Sequence, residues 1–447
     1  MREVNQFGVA ASRANNALSG MDLAAPSAVR TRGTIRQEHS GFENAIVLCV
    51  LVLSTTAFVN LFPGERGLES AQVGLLFAQM LWAFLYLVML FFARNRIMEF
   101  ARLLWQNKLL VLLLVWACLS AIWSVDGQVT IRHAIALLFT SFFGVYFGVQ
   151  YSLRRQLVLV TIALGVVIIA SVGACLAFPA YGISSENPFE EPAWQGVLTN
   201  KNNLAALVIL AVLISVLYFI RGIRRPLIGV GIVLLFFLVV LTQSKTALVY
   251  FALGILIFPF LRAFQRNPLK RRKIVAFALL IAVGLATWTY SNWDNLTYSL
   301  GRDPGLTGRF MLWGVAVEWI KERPLLGHGL DAFWSNYYGP AADFRIASGW
   351  HEGGTAQNGF IDLWLDLGLI GVLLFVLSFV FTYRQALNLA KTTKNSEGLW
   401  PITYLTFLFV YSLTEFSFLS RNNLYWILYI STGLGVRALL RKEYQQT

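Results

Sequence analysis

Uncharged apolar runs recur along this 447-residue chain, each of about 17 to 25 residues, the length that carries an α-helix across a bilayer. Roughly twelve are predicted, at 44–62, 71–92, 109–125, 134–150, 157–179, 203–220, 227–241, 246–261, 274–290, 359–383, 401–419 and 424–440. The seventh and eighth are separated only by TQSKT. Residues 1–41 are polar, rich in Ala, Ser and Asn, and lack the apolar core of a signal peptide, so a disordered tail is expected there. The organisation that follows is a tail over 1–41, helices over 42–290, one large loop over 291–358, three further helices over 359–440, and a short tail over 441–447. Inside the loop, GRFMLWGVAVEWIKERPLLGHG predicts an amphipathic helix from about Thr307 to Glu322. Its apolar positions are Phe310, Trp313, Val317 and Ile320, with Pro324 just past its end; GHGLDAFW and SGWHEGG follow as Gly-rich turns.

Composition agrees with the membrane reading. The chain is 57% hydrophobic and only 13% charged, whereas a soluble domain carries about 25% charged residues. The net charge of +13 is distributed by topology: 26 of the 36 Lys and Arg fall in the two tails and in alternate loops. That asymmetry marks the cytoplasmic side, so both termini are expected to be cytoplasmic and the number of spans even. The basic excess then serves topology and membrane-lipid headgroups, with no nucleic-acid partner expected. Cys49, Cys118 and Cys175 all lie in apolar runs, which predicts neither a disulfide framework nor a cysteine metal site. The fold class expected is an all-α polytopic membrane protein of about twelve transmembrane helices with one large, partly helical outer loop.

The basic residues left on the outer side are few, and several stand at helix ends. Lys201 lies in TNKNNLAAL, where Asn200 or Asn202 can cap the following helix and make an anion site, or where the lysine simply snorkels. Lys245 follows TQS, Arg132 and His133 begin the fourth run, and Arg421 precedes the last. With Arg302, Arg309 and Arg323 in the loop they suit a multiply charged anion such as a pyrophosphate, although a single outer arginine is ordinarily an interfacial anchor. No Walker A, GxGxxG, HExxH or paired CxxC motif occurs, so no nucleotide hydrolysis, cofactor or metal is indicated. Asp362 and Asp366 stand one helical turn apart near the outer end of the tenth run. They share a face that should turn inward, held by a partner such as Arg302 or Arg309 or else serving as a base.

The stretch AQNGFIDLWLDLGLIG resembles the signature of the O-antigen ligase and polymerase superfamily of bacterial envelope glycosyltransferases. There a His-Asn pair after the large periplasmic loop is followed, a short helical stretch later, by Gly-Leu-x-Gly. Here the pair is Gln357-Asn358, and Gly368, Leu369 and Gly371 match the end. LGRDPGLTGRFMLW followed by ERPLLGHGLDAFW is similar to exopolysaccharide polymerases of the succinoglycan type, as are WQGVLTNKNNLA and LTQSKTAL. The resemblance implies an inner-membrane enzyme with its site facing the periplasm and a metal-independent, inverting transfer from a glycan on undecaprenyl pyrophosphate. The acceptor is another lipid-linked repeat unit in polymerases and the lipid A core in ligases. The growing polysaccharide, chain-length regulators and export proteins are the partners implied. Arg302 and Arg309 come first as pyrophosphate ligands, then Lys201, Arg132 and Lys245, with Asn358, Asp362 and Asp366 on the acceptor side or structural.

Gln357 departs from the signature, because an amide cannot act as a base. His351 or Glu352 can supply that function, Asp362 or Asp366 can, or the signature position mainly orients the acceptor, which Gln357 can also do. An imidazole titrates nearest working pH, which favours His351 and its neighbour Glu352. His328 reads as a loop-packing residue. A flippase or other secondary transporter would instead place polar groups at the midplane of two related halves; Glu415 is the main charge that fits such a pattern.

Overall fold

Helices form where the apolar runs stand. The computed structural model describes residues 41–58, 68–184, 192–266, 269, 271–273, 276–277, 280, 309–334, 342–343, 355–393, 396–415 and 418–444. In chain order the helices are α1 (Gly41–Leu53), α2 (Leu68–Ala93), α3 (Ile97–Trp105), α4 (Lys108–Leu119), α5 (Gly127–Gln150), α6 (Leu153–Ala177), α7 (Lys201–Arg221) and α8 (Arg225–Leu241). They continue as α9 (Lys245–Arg266), α10 (Arg309–Glu322), α11 (Gly359–Thr392), α12 (Trp400–Ser412) and α13 (Leu424–Tyr444). A short ribbon pairs β1 (Ile183–Ser184) antiparallel with β2 (Ala193–Trp194). Six described helical stretches are long and apolar enough to cross a membrane, and three shorter apolar ones accompany them. The chain is a multi-pass, all-α membrane protein. The expected run at 274–290 falls almost wholly outside the described residues.

Local chemistry fixes the helix starts. Asp126 accepts the Val129 N–H at 3.0 Å to begin α5, and Asn200, rather than Asn202, accepts the Asn203 N–H at 2.8 Å to begin α7. An apolar helix with no polar face belongs in a core or against lipid, and α7 takes the core, buried along most of Leu204–Leu217. The last helix, α13, lies along α5, where the buried Trp426 indole donates to Ser141 Oγ at 2.9 Å. Arginines gather at the bundle end away from these caps. There Arg96 reaches Gln150 at 3.1 Å, and Arg437 reaches Gln385 and the Gln106 carbonyl at 3.0 and 2.8 Å.

The tenth expected span is not one continuous helix. α11 breaks at Gly368, whose φ of 68° and ψ of −174° leave the helical region. A break frees backbone groups, and an unpaired one at membrane depth costs several kcal/mol. The segment after α10 supplies the missing partners. His328 N–H donates to the Leu365 carbonyl at 2.7 Å, Gly329 N–H to that of Asp366 at 2.9 Å, and the Trp116 indole to that of Leu367 at 3.0 Å. In return Leu369 N–H donates to Pro324 O at 2.8 Å and Ile370 N–H to Leu325 O at 3.4 Å. The chains approach so closely that a Cβ on Gly368 would lie 2.1 Å from Leu325 O, and one on Gly327 2.5 Å from the Gly368 nitrogen.

Two further expectations shift. α12 ends at Ser412 instead of running to 419, so Glu415 lies in the turn beyond it, its N–H on the Tyr411 carbonyl at 3.0 Å. The loop helix α10 forms as expected but buries Leu312, Ala316 and Ile320, while Val317 is 43% exposed. Packing against Leu365 and Phe333, with Trp364 and Trp334 at the margin, selects that face.

Gly368→Ala should cost about 3 kcal/mol or more through left-handed strain and overpacking. Gly314→Ala in α10, where an added Cβ meets nothing within 4 Å, should be neutral or stabilise by up to about 1 kcal/mol. Thermal unfolding in detergent compares them; equal midpoints would show that the break tolerates a side chain.

Candidate functional site

The start of α11 is built from its own cap. Asn358 Oδ1 accepts the N–H groups of Phe360 and Ile361 at 3.0 and 3.3 Å, and its Nδ2 donates to the Leu413 carbonyl at 3.2 Å. Gln357, half-buried, holds a positive φ of 50°. Before it, the Ala356 N–H donates to Asp362 Oδ1 at 2.8 Å, and the Ala356 carbonyl accepts the Trp313 indole of α10 at 3.0 Å. The Trp334 indole donates to the same Asp362 oxygen at 2.9 Å.

Asp362 and Asp366 are 0% and 2% exposed, so the shared face does turn inward. The Ala356 N–H and the Trp334 indole hold Asp362 Oδ1, and Arg302, one of the arginines expected beside it, lies outside the described residues. Asp362 Oδ2 and Asp366 Oδ1 have no hydrogen-bond partner among the described residues, and the Asp331 backbone N–H faces the Asp366 carboxylate. His328 is buried between Phe333 and Trp319, with ring centroids 5.1 and 6.2 Å away, and its Nδ1 donates to the Leu365 carbonyl at 3.1 Å. Burial pushes its imidazole below the ordinary value, the Leu365 carbonyl opposes this, and Arg323 adds to the lowering. It packs inside the loop, as its Gly-rich setting predicts.

The cations distribute unevenly. Lys201 and Lys245 open α7 and α9, and these two helix starts are tied together by the Ser244 hydroxyl donating to Asn202 Oδ1 at 3.0 Å. Two segments more than forty residues apart in the chain thus meet. Tyr250, early in α9, reaches the Thr414 hydroxyl beside Leu413, which links this pair to the Asn358 cap. Arg132 is exposed and folds back on its own helix, Nε 3.4 Å from the Gln128 carbonyl. Arg309 is the first residue of α10. Arg302, His351 and Glu352 lie outside the described residues.

A cluster absent from the expected site joins three segments. Arg421 Nη1 lies 2.6 Å from Asp331 Oδ2 and 3.1 Å from His133 Nδ1, and His133 lies 3.3 Å from the same Asp331 oxygen. Burial raises the Asp331 carboxyl, but His133 and Arg421 outweigh it and hold the group below the usual carboxylate value. Sequence supplies only a lone histidine, a lone arginine and a loop aspartate as signals, with nothing to pair them.

One end of the bundle therefore presents capped helix starts with two lysines, a histidine–aspartate–arginine cluster, and a constrained turn at Gln357. Residues 230–376 match the family described as O-antigen ligase. The chain fits the O-antigen ligase and polymerase superfamily. The matched residues run from α8 through the break in α11. The chain is also similar to the exopolysaccharide production protein ExoQ of Rhizobium meliloti, at 24% identity over 398 residues, covering 86% of this chain and 87% of that protein. A protein named as a polysaccharide ligase from Rickettsia conorii is 30% identical over 148 residues, 32% of this chain and 33% of its own. Both names fit a superfamily of polysaccharide-building membrane enzymes.

The lowered Asp331 carboxyl sets a pH dependence. A group depressed on folding stabilises above its unfolded value, about 4, and loses that contribution as pH falls through its folded value. The stability gap between the natural protein and Asp331→Asn should be constant near neutrality and shrink below about pH 4. Unfolding midpoints across pH measure it, and a gap that is flat to the acid limit would count against the pairing.

Proposed function

We propose that the protein is a polysaccharide polymerase that joins undecaprenyl-pyrophosphate-linked repeat units at the periplasmic face of the inner membrane. The observation that carries this reading is the likeness to an exopolysaccharide production protein along 86% of the chain, against 32% for the ligase-named relative. In the proposed step an acceptor sugar hydroxyl attacks the anomeric carbon of the donor glycan with inversion. The new oxygen–carbon bond forms as the bond from that carbon to the pyrophosphate oxygen breaks. The hydroxyl proton passes to a base, and undecaprenyl pyrophosphate departs.

Developing charge on the leaving pyrophosphate calls for fixed cations and helix N-termini in a low-dielectric setting. Arg302 and Arg309 are assigned that role first, then Lys201 and Lys245 at their tied helix starts, and Arg132. Gln357 stands at the signature's first position and orients the acceptor hydroxyl through its amide, while His351 or Glu352 takes the proton. Asp362 is fully buried behind the turn, which disfavours it as the base, since a base must reach the proton it removes. The growing chain, and chain-length regulators or export proteins as partners, belong to the same reading.

Incubating the purified protein with a lipid-linked repeat unit alone should give longer lipid-linked chains and free undecaprenyl pyrophosphate. Transfer only when lipid A core is added would replace the polymerase by a ligase, and movement of the lipid across a vesicle without extension by a flippase. Arg309→Ala should insert normally yet form polymer at least about 100-fold more slowly, the scale of losing one oxyanion-type donor; normal polymer in that variant would remove Arg309 from the pyrophosphate site.

A further inference from the structure

The residues on either side of Gln357 are fixed from three directions, and the most enclosed contact comes from a side chain that the transfer step itself does not use. We infer that Asp362 is a positioning residue for the transfer, acting through Gln357. This deepens the polymerase reading and rests on its assignment of Gln357 to the acceptor hydroxyl.

The geometry runs as one chain of contacts. Asp362 Oδ1 accepts the Ala356 N–H at 2.8 Å and the Trp334 indole at 2.9 Å, so a single buried oxygen joins the turn before α11 to the segment after α10. Ala356, itself 0% exposed, is held at its carbonyl by the Trp313 indole at 3.0 Å. On the other side, Asn358 is fastened by its cap bonds and by the Leu413 carbonyl. Gln357 therefore sits between two clamped neighbours with φ at 50°. A non-glycine residue in this region persists only where its surroundings over-determine it. Release of the Ala356 N–H lets the turn relax toward ordinary backbone and swings the Gln357 side chain away from its position.

The carboxylate is matched to this task by acceptor capacity. One oxygen takes two N–H donors, which an ionised or amide oxygen can do and an apolar side chain cannot. Asp362→Leu keeps the approximate volume and deletes the acceptor, whereas Asp362→Asn keeps an oxygen that accepts both bonds.

Polymer formation from the lipid-linked repeat unit, measured across substrate concentrations up to saturation, tests the inference in four variants. Asp362→Leu and Gln357→Ala should each lower kcat about 100-fold, the cost of a misplaced reacting group, and leave KM close to the natural value. The double variant should be no slower than the slower single one, because both changes remove the same contribution. Asp362→Asn should recover most of the rate lost in the leucine variant. Should Asp362→Leu fail to insert, Trp313→Phe, which frees the same Ala356 unit from its other side, takes its place in the cycle. Multiplying losses in the double variant would overturn the positioning role and leave the polymerase reading standing. An asparagine variant as slow as the leucine one would also overturn it, and would place the carboxylate charge in the chemistry. A Gln357→Ala protein at the natural rate would remove the assignment of Gln357, and this inference with it, whereas a natural protein that extends nothing would remove the polymerase reading itself.

Discussion

The exchange of backbone hydrogen bonds between the segment after α10 and the break in α11 is the constraint on which the candidate site hangs. Four N–H groups and four carbonyls from two distant stretches satisfy one another there, with the Trp116 indole completing the set. Because an unpaired backbone group at membrane depth is so costly, neither segment can leave without leaving the other exposed. The clip carries the following residues with it. Asp331 is brought against His133 and Arg421, Phe333 against His328, and Trp334 against Asp362. Side chains from α5, from the loop and from the turn before α13 meet because one stretch of backbone is seated in a helix break.

The two kinds of aspartate in this region show how differently the bundle treats a carboxylate. Asp331 is partly open to solvent and is matched by cationic or cation-capable groups, a pairing that holds its proton affinity down. Asp362 is sealed from solvent and is matched by an indole and a backbone N–H instead. Buried polar atoms need hydrogen-bond partners more than they need opposite charge. Among the described residues it is N–H donors that reach Asp362. The indole and amide donors also fix direction, and it is direction that Gln357 needs if its amide is to meet a sugar hydroxyl.

Much of this was legible along the chain. The spacing of apolar runs gave the helices, Pro324 and the apolar period gave α10, and the asparagines flanking Lys201 gave a capped start that Asn200 fulfils. The stretches around Lys201, Lys245, Gly327 and Gly368 carried the family resemblance, and the matched domain covers the last three of them. What hydropathy missed was the break itself, since Gly-Leu-Ile-Gly is as apolar as an unbroken helix. It also missed that α10 buries Leu312 and Ala316 and leaves Val317 exposed, because Leu312 and Ala316 are no more apolar than Val317. The His133–Asp331–Arg421 cluster was out of reach because nothing local distinguishes three polar residues that will meet from three that will not.

The sequence by itself determined that this is a multi-pass helical membrane protein, where most of its helices begin, and which superfamily its motifs resemble. Those properties depend on transfer free energy, capping and short-range motif spacing, all of which act within a turn or a span. Only the tertiary structure decided that α11 is split, that Asp362 serves the turn at Gln357, and that Lys201 and Lys245 open neighbouring helices. Each of these depends on which segments become neighbours, and that is settled by backbone groups finding partners across the bundle, where one residue's order in the chain says little about who will satisfy it.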